Sequence, residues 1–231
     1  MLLSYKMPYI ESPLPTPSAG TAEQPFSLSR PEASSEQVPA PQPSMPTPDL
    51  ATTAPLSTIF DSLAGTWTLH RRLTSQLPGY PCGKFTGTAS FTPHPALAET
   101  GSSYLYHETG ELQTDSGLVL RANQKYIYHH DTANDKVAIW FVKPRDDEAN
   151  RPGTAADDEA DYLYMELEMG LDATLGGWTG RGDHLCEMDF YQGFFDWRVV
   201  QAGDEMRRFG IQYKVKGPHK DYLSETAYVK Q

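Results

Sequence analysis

"DFYQGFFDW", residues 189–197, is the stretch that decides the fold. Because side chains alternate along a β-strand, this stretch sends a polar and aromatic mixture to each face of a sheet. One face receives Asp189, Tyr191, Gly193, Phe195 and Trp197, and the other receives Phe190, Gln192, Phe194 and Asp196. Neither set is the clean apolar face of a dry sandwich core. The stretch therefore favours a barrel whose lumen is lined by tyrosines and occasional charges.

Similar strand-like runs recur on both sides of this stretch, nine in all, and are joined by turn chemistry such as "DTAND", "QAGDE" and "KGPH". One short helix is predicted in "PLSTIFDSLAG", with Thr58 as N-cap and Gly65 as the stop. The glycine-rich segment at 172–183 is predicted to be a lid or a long crossover. We predict an all-β protein, an antiparallel calycin-like or lipocalin-like barrel of about nine strands with a short N-terminal helix.

The first quarter of the chain has a different composition. Twelve of the 19 prolines lie at or before Pro55, and repeated X-Pro steps are incompatible with both helix and sheet. Residues 1–55 are therefore predicted to be a disordered arm rich in Pro, Ser and Thr. Residues 56–231 are predicted to form one barrel domain.

The charge and the apolar runs limit the partners. A formal net charge of -11 argues against nucleic acid as a partner, because phosphate binding needs a clustered basic face. No apolar run has the length of a membrane span, so no membrane insertion is expected, and none has the length of a signal-peptide core. Cys82 and Cys186 lie far apart, which favours a reducing compartment. We expect a cytoplasmic protein and leave its oligomeric state open.

Two parts of the chain resemble known proteins. "LAGTWTLHRR", residues 63–72, is similar to the entry of the calycin superfamily of lipocalin-like barrels. That resemblance implies that Trp67 closes the barrel floor under Lys230 as a cation. "YHETGEL", "HLCEMDFYQGFF" and "YKVKGPHKDYLSETAY" resemble an uncharacterised lipocalin-like family of fungi and bacteria. The motif positions are Tyr106, Glu108, Gly110, His184, Cys186, Asp189, Tyr191, Gly193, Gly217, Pro218, Lys220, Asp221, Tyr222, Thr226 and Tyr228.

The second resemblance implies a fold and a residue cluster but no reaction. This chain departs from the family pattern at Tyr213, where tryptophan is usual, and at His219, where arginine is usual. Small calycin-like families of fungi occur in secondary-metabolite pathways, which makes secondary metabolism an expectation here.

The cluster has the residue types of acid/base catalysis. A histidine oriented by a carboxylate, with tyrosine or lysine to stabilise oxyanion charge, suffices for isomerisation, dehydration or cyclisation without a cofactor. The predicted catalytic residues are His184 as base or acid, Asp189 to orient it, Tyr191 and Tyr222 as hydroxyl donors and Lys220 as stabiliser. Predicted contacts to a small, largely apolar organic substrate are Trp67, Tyr106, Glu108, Tyr126 and Tyr228.

Other interpretations of the same residues stay open. Buried Asp, Tyr and Lys side chains also satisfy one another as a structural plug at a barrel end. His184 and Cys186, with Glu108, are a thin signal for a metal site, and no metal is predicted. No phosphate loop or dinucleotide fingerprint is present, so no cofactor is expected. A carrier or sensor that turns nothing over, and an interaction module with the proline-rich arm as a recruiter, are the alternative functions.

Overall fold

The computed structural model describes residues 54–78, 80–144, 158–172, 177–197 and 205–231. Of the predicted disordered arm, only Ala54 and Pro55 fall within these ranges. The described residues form one helix, α1 Leu56–Asp61, and ten strands. The strands are β1 Gly65–Ser75, β2 Gly83–Pro93, β3 Gly101–Thr114, β4 Val119–Asp131, β5 Lys136–Val142, β6 Ala160–Asp172, β7 Gly177–Cys186, β8 Asp189–Trp197, β9 Arg208–Lys216 and β10 Asp221–Lys230.

The strands form a closed antiparallel barrel in which each pairs with its neighbours in sequence and β1 pairs with β10. The closing pair runs from Trp67 opposite Lys230 to Ser75 opposite Tyr222. Closure leaves no unpaired edge in so aromatic a sheet. The predicted all-β antiparallel barrel with one leading helix is confirmed, with ten strands in place of about nine.

The additional strand is β7. A lid or long crossover was predicted for residues 172–183, and this prediction is wrong from Gly177 onward, where β7 begins. Its glycines fit a strand because methionines of β6 lie over them. A Cβ added to Gly180 would lie 2.6 Å from the sulfur of Met169, and one added to Gly182 would lie 2.8 Å from that of Met165. Glycine composition suggested a loop, whereas close packing of side chains from the adjacent strand β6 requires glycine in this strand.

One end of the barrel is closed by α1. Its side chains Leu56, Ile59 and Phe60 are buried, and the Phe60 ring packs 5.3 Å from the ring of Tyr104. Trp67 is fully buried beside them and donates its indole hydrogen to the carbonyl of Leu63 at 2.8 Å. This end is therefore a dry aromatic floor.

The expected cation at the floor is confirmed: the Lys230 ammonium lies 5.3 Å from the centre of the Trp67 ring. Lys230 also contacts the carboxylate of Glu205 at 2.9 Å.

Among the helices of the described ranges, none is long and apolar enough to cross a membrane.

The opposite end of the barrel is open. Several lumen-facing side chains there are only half-buried, although residues of the same parity on β1, β4, β5 and β8 are fully buried near the floor. On β8, for example, Trp197 and Phe195 are 0% exposed, while Tyr191 is half-buried. Solvent therefore enters the lumen from this end, which we call the mouth. The half-buried lumen residues at the mouth are Tyr126, Phe141, His184, Tyr191, Tyr213 and Tyr222.

Candidate functional site

An ion pair crosses the lumen halfway between the floor and the mouth. Both terminal nitrogens of Arg71 donate to the carboxylate of Glu108, at 2.8 and 2.7 Å, and its Nε donates to Thr226 at 2.8 Å. The Tyr106 hydroxyl also donates to Glu108 and contacts the Tyr228 hydroxyl at 2.9 Å. These side chains come from β1, β3 and β10, so the network ties together strands that are not all neighbours.

The pair is charged at neutral pH. Burial alone would raise the pKa of Glu108, but the charge and hydrogen bonds of Arg71 outweigh it and hold that pKa below its ordinary value. Burial likewise disfavours the Arg71 cation, yet Glu108 raises the pKa of Arg71 well above its usual range. Burial, followed by the charge of Glu108, raises the pKa of Tyr106. The network therefore carries one positive and one negative charge and sums to zero.

Above this network a group of tyrosines lines the lumen. The rings of Tyr126 and Tyr164 are stacked, with centres 5.4 Å apart and planes at 16°. The ring of Tyr213 lies 6.1 Å from that of Tyr164 and is tilted against it by 44°. Burial is the largest cause that raises the pKa of all three phenols, so each keeps its proton at neutral pH. The lumen therefore presents flat aromatic faces and neutral hydroxyl groups.

His184 of β7 lies on the wall of this aromatic group. Its ring is 5.1 Å from that of Tyr164 and 6.1 Å from those of Phe141 and Tyr191. Burial lowers the pKa of His184 more than its hydrogen bond to the Tyr164 carbonyl raises it. The imidazole is therefore neutral at pH 7, so one ring nitrogen is a donor and the other carries a lone pair.

Asp189 does not orient His184 in this structure. Its Oδ1 accepts hydrogen bonds from the backbone of His219 at 3.0 Å and of Lys220 at 3.1 Å, and the residue is 2% exposed. Gly217 is needed there, because an added Cβ would lie 2.6 Å from the Cα of Asp189. Asp189 thus holds the turn between β9 and β10 against the start of β8.

That turn delivers Lys220 to the mouth. The Lys220 ammonium donates to the Tyr191 hydroxyl at 2.8 Å and lies 3.8 Å from the Asp189 carboxylate. Tyr191 also shares a hydrogen bond with Tyr222. Burial raises the pKa of Tyr191 to about 12 and raises that of Tyr222 as well. The two motifs of the sequence, around Asp189 and around Lys220, therefore meet at one point.

The structure thus divides the predicted residues into groups. His184, Tyr191, Lys220 and Tyr222 share the mouth with Tyr126. Asp189 lies beside them at the start of β8, where it binds the backbone of the turn between β9 and β10. Glu108, Tyr106 and Tyr228 form the network at mid-lumen, and Trp67 lies at the dry floor with 0% exposure, apart from the mouth.

Five of the lumen residues described above were not predicted as site residues: Arg71, Phe141, Tyr164, Tyr213 and Thr226. Arg71 has the same parity on β1 as the buried Trp67 and Leu69, so alternation was the signal that could have found it. Tyr164 was hidden by a register irregularity between β5 and β6, which breaks the simple alternation.

The structure offers little for a metal ion. Within the described ranges, no group of three or more His, Cys, Asp or Glu side chains is placed to hold one. Cys82 and Cys186 are both free thiols. Cys186 is paired in the sheet with Asp189 and not with a histidine.

Comparisons with known proteins identify the family. Residues 63–230 match a family of unknown function, DUF6314, and the chain belongs to that family. Among solved structures, the chain is similar to the S-type phycobiliprotein lyase CPES from Guillardia theta, with a TM-score of 0.48 and 11% sequence identity. The similarity covers 77% of this chain and 93% of that one. A comparison with curated proteins found no match.

Proposed function

We propose that this member of the DUF6314 family binds a small, largely apolar organic molecule in the mouth of its barrel and acts on it by cofactor-independent acid/base chemistry. One observation carries the proposal: half-buried tyrosines and a neutral histidine line the open half of a barrel whose other half is closed. Concave apolar sites with a few convergent polar groups are the usual form of small-molecule sites.

His184 is the base of the proposed reaction. Because one ring nitrogen donates to the Tyr164 carbonyl, the other can accept a proton from a carbon next to a substrate carbonyl. The resulting imidazolium can return the proton at a second carbon, which gives isomerisation, or to a departing hydroxyl, which gives dehydration. Cyclisation uses the same enolate as an internal nucleophile. Each route conserves protons and needs no electron acceptor.

Tyr191 is the proposed hydrogen-bond donor to the developing enolate oxygen. Lys220 donates to the Tyr191 oxygen, and Tyr222 also bonds to it, so negative charge on that oxygen is stabilised. Asp189 acts as a positioning residue, because it holds the backbone that presents Lys220.

A carrier or sensor that binds without turnover is the second candidate. It is favoured by the partner of His184, which is a carbonyl and not a carboxylate, so the imidazole is a weaker base than in a histidine–carboxylate pair. A place in secondary metabolism and a cytoplasmic location remain predictions from the sequence. An interaction module is the third alternative.

The test combines ligand identification with turnover. The purified chain is incubated with cell extract, reisolated and extracted with organic solvent, and bound molecules are identified by mass spectrometry. Turnover of the bound molecule is then compared for the wild type, His184→Ala and the control His70→Ala, which alters an exposed histidine on the outer face of β1.

Loss of turnover in His184→Ala alone, with the ligand still bound, supports the enzyme. Retention of the ligand with no turnover in any form supports the carrier. No bound molecule after exposure to extract would contradict both and leave the interaction module.

A further inference from the structure

The pairing of charges in the lumen restricts the net charge that a ligand can carry. Among the described residues, two cationic side chains lie in the lumen above the floor. Each of them has a carboxylate within 4 Å. Arg71 is held by Glu108 at 2.7 Å, and the Lys220 ammonium is 3.8 Å from Asp189. His184 is neutral at pH 7 because burial lowers its pKa. A charged ligand would therefore be desolvated without a counterion of its own.

The hydroxyl groups restrict the ligand further. Tyr126, Tyr164 and Tyr213 face the lumen, and their hydroxyls bond to no side chain or carbonyl within the described ranges. Tyr164 as a residue is only 6% exposed, and its hydroxyl has no partner of this kind. A ligand that excludes water from these hydroxyls must supply an acceptor to avoid the cost of a buried unpaired donor, and a carbonyl oxygen is such an acceptor.

The aromatic side chains of the lumen wall also favour one shape of ligand. Tyr126 and Tyr164 are stacked at 16°, and Phe141 lies 4.8 Å from Tyr164, so the lumen offers extended aromatic faces. Planar conjugated molecules match such faces by offset stacking.

We propose that the ligand of the mouth is an uncharged, planar, conjugated molecule with carbonyl oxygens that accept hydrogen bonds from Tyr126, Tyr164 and Tyr213. This inference rests on the proposed function, since it names the substrate class of the same site. Those members of this class that carry a C–H bond on a saturated carbon next to a carbonyl, such as acetyl arenes, also meet the requirement of the His184 chemistry.

The test uses four probes on one scaffold, measured by calorimetric titration of the full chain at pH 7. The probes are 2-acetylnaphthalene, naphthalene, 2-naphthoate and 2-naphthylmethylammonium. We expect 2-acetylnaphthalene to bind about tenfold tighter than either ion, because each ion loses its hydration without gaining a counterion. It should also bind several-fold tighter than naphthalene, which accepts no hydrogen bond.

Two variants should shift the preference in opposite directions. Lys220→Met leaves Asp189 without its ammonium and should favour the ammonium probe relative to wild type. Glu108→Gln leaves the Arg71 guanidinium without its carboxylate and should favour 2-naphthoate. The control Asp115→Asn changes an exposed pair on the outer face and should leave the ranking unchanged. Because Lys220 lies at the rim, its variant should fold even if Glu108→Gln does not.

The outcomes separate the inference from the proposed function. Tightest binding of an ion by the wild type, or equal binding of naphthalene and 2-acetylnaphthalene, overturns the inference and leaves small-molecule binding intact. An unchanged ranking in a folded Lys220→Met also overturns it. Failure of all four probes to bind would overturn the proposed function together with the inference.

Discussion

The chain contains two arginine–carboxylate pairs of the same forked geometry on opposite faces of one strand. Arg71 holds Glu108 inside the lumen, where the side chains are 23% and 7% exposed. Its neighbour Arg72 holds Asp115 outside, where they are 42% and 52% exposed. The pairs therefore differ in burial and in the further hydrogen bonds that Thr226 and Tyr106 make to the buried pair. We predict that Glu108→Gln destabilises the protein far more than Asp115→Asn.

The magnitudes follow from solvent access. Removing one partner of a buried pair leaves an uncompensated charge and typically costs about 3–5 kcal/mol, whereas an exposed pair contributes about 0–1 kcal/mol. In a domain of this size each kcal/mol lowers the Tm by roughly 2–4 °C. We therefore expect Glu108→Gln to lower the Tm by roughly 6–20 °C and Asp115→Asn to lower it by less than about 4 °C.

The assay is thermal and urea unfolding followed by circular dichroism at pH 7. Equal losses in the two variants, or a loss below about 1 kcal/mol in Glu108→Gln, would refute the assignment of Arg71 and Glu108 as a desolvated pair. The double variant Arg71→Met with Glu108→Leu supplies a second check. Because it removes both charges, it should recover most of the loss.

The pH dependence of the same variants has a definite sign. The pKa of Glu108 is lowered in the folded chain, so its contribution to stability is complete above the unfolded carboxyl pKa of about 4.3. It is lost as the pH falls through the lowered folded pKa. The difference in stability between wild type and Glu108→Gln should therefore narrow below about pH 4.

Two further predictions concern the mouth. In turnover of the bound molecule, kcat/KM should decline only below the ordinary histidine pKa of about 6.5, because burial lowers the pKa of His184. The pH profile of the control His70→Ala should match that of the wild type. A decline of kcat/KM that starts above pH 7 would contradict the assignment of His184 as the base. Gly217→Ala should destabilise the turn by about 1–3 kcal/mol, since its Cβ would lie 2.6 Å from the Cα of Asp189, whereas Gly170→Ala has no atom within 4 Å of its Cβ. Urea unfolding of both glycine variants checks this, and equal stabilities would contradict it.

Much of the fold could be predicted from alternation and turn chemistry. The aromatic stretch at 189–197, the repeated strand-like runs and the turns between them suffice for a closed antiparallel barrel with a lined lumen. The strand that was missed, β7, shows the limit of this approach. Its glycines have the composition of a loop, and only Met165 and Met169, packed across them, make a strand the better solution.

The candidate site was predictable only in part. Residue type and motif placed His184, Tyr191, Lys220 and Tyr222 in one cluster, and the structure brings them to the mouth. The expected pairing of His184 with Asp189 is not formed, because Asp189 binds the backbone of the turn that carries Lys220. A sequence shows that a carboxylate lies close to His184 along the chain. It does not show which hydrogen-bond donor the folded chain places against that carboxylate.

On regular strands, the sequence by itself determined which side chains share the inner face of the barrel, because the side-chain period of a strand is two and needs no knowledge of neighbours. It did not do so for β7 or at Tyr164, where neighbouring strands set the conformation. Only the tertiary structure decided how far along the barrel axis each side chain lies. That depth depends on the stagger between paired strands, which brings Arg71 and Glu108 together across 37 residues of chain and keeps Trp67 at the floor. The ion pair, the closed floor and the open mouth are therefore properties of register, and register is set by contacts between strands and not by any one strand.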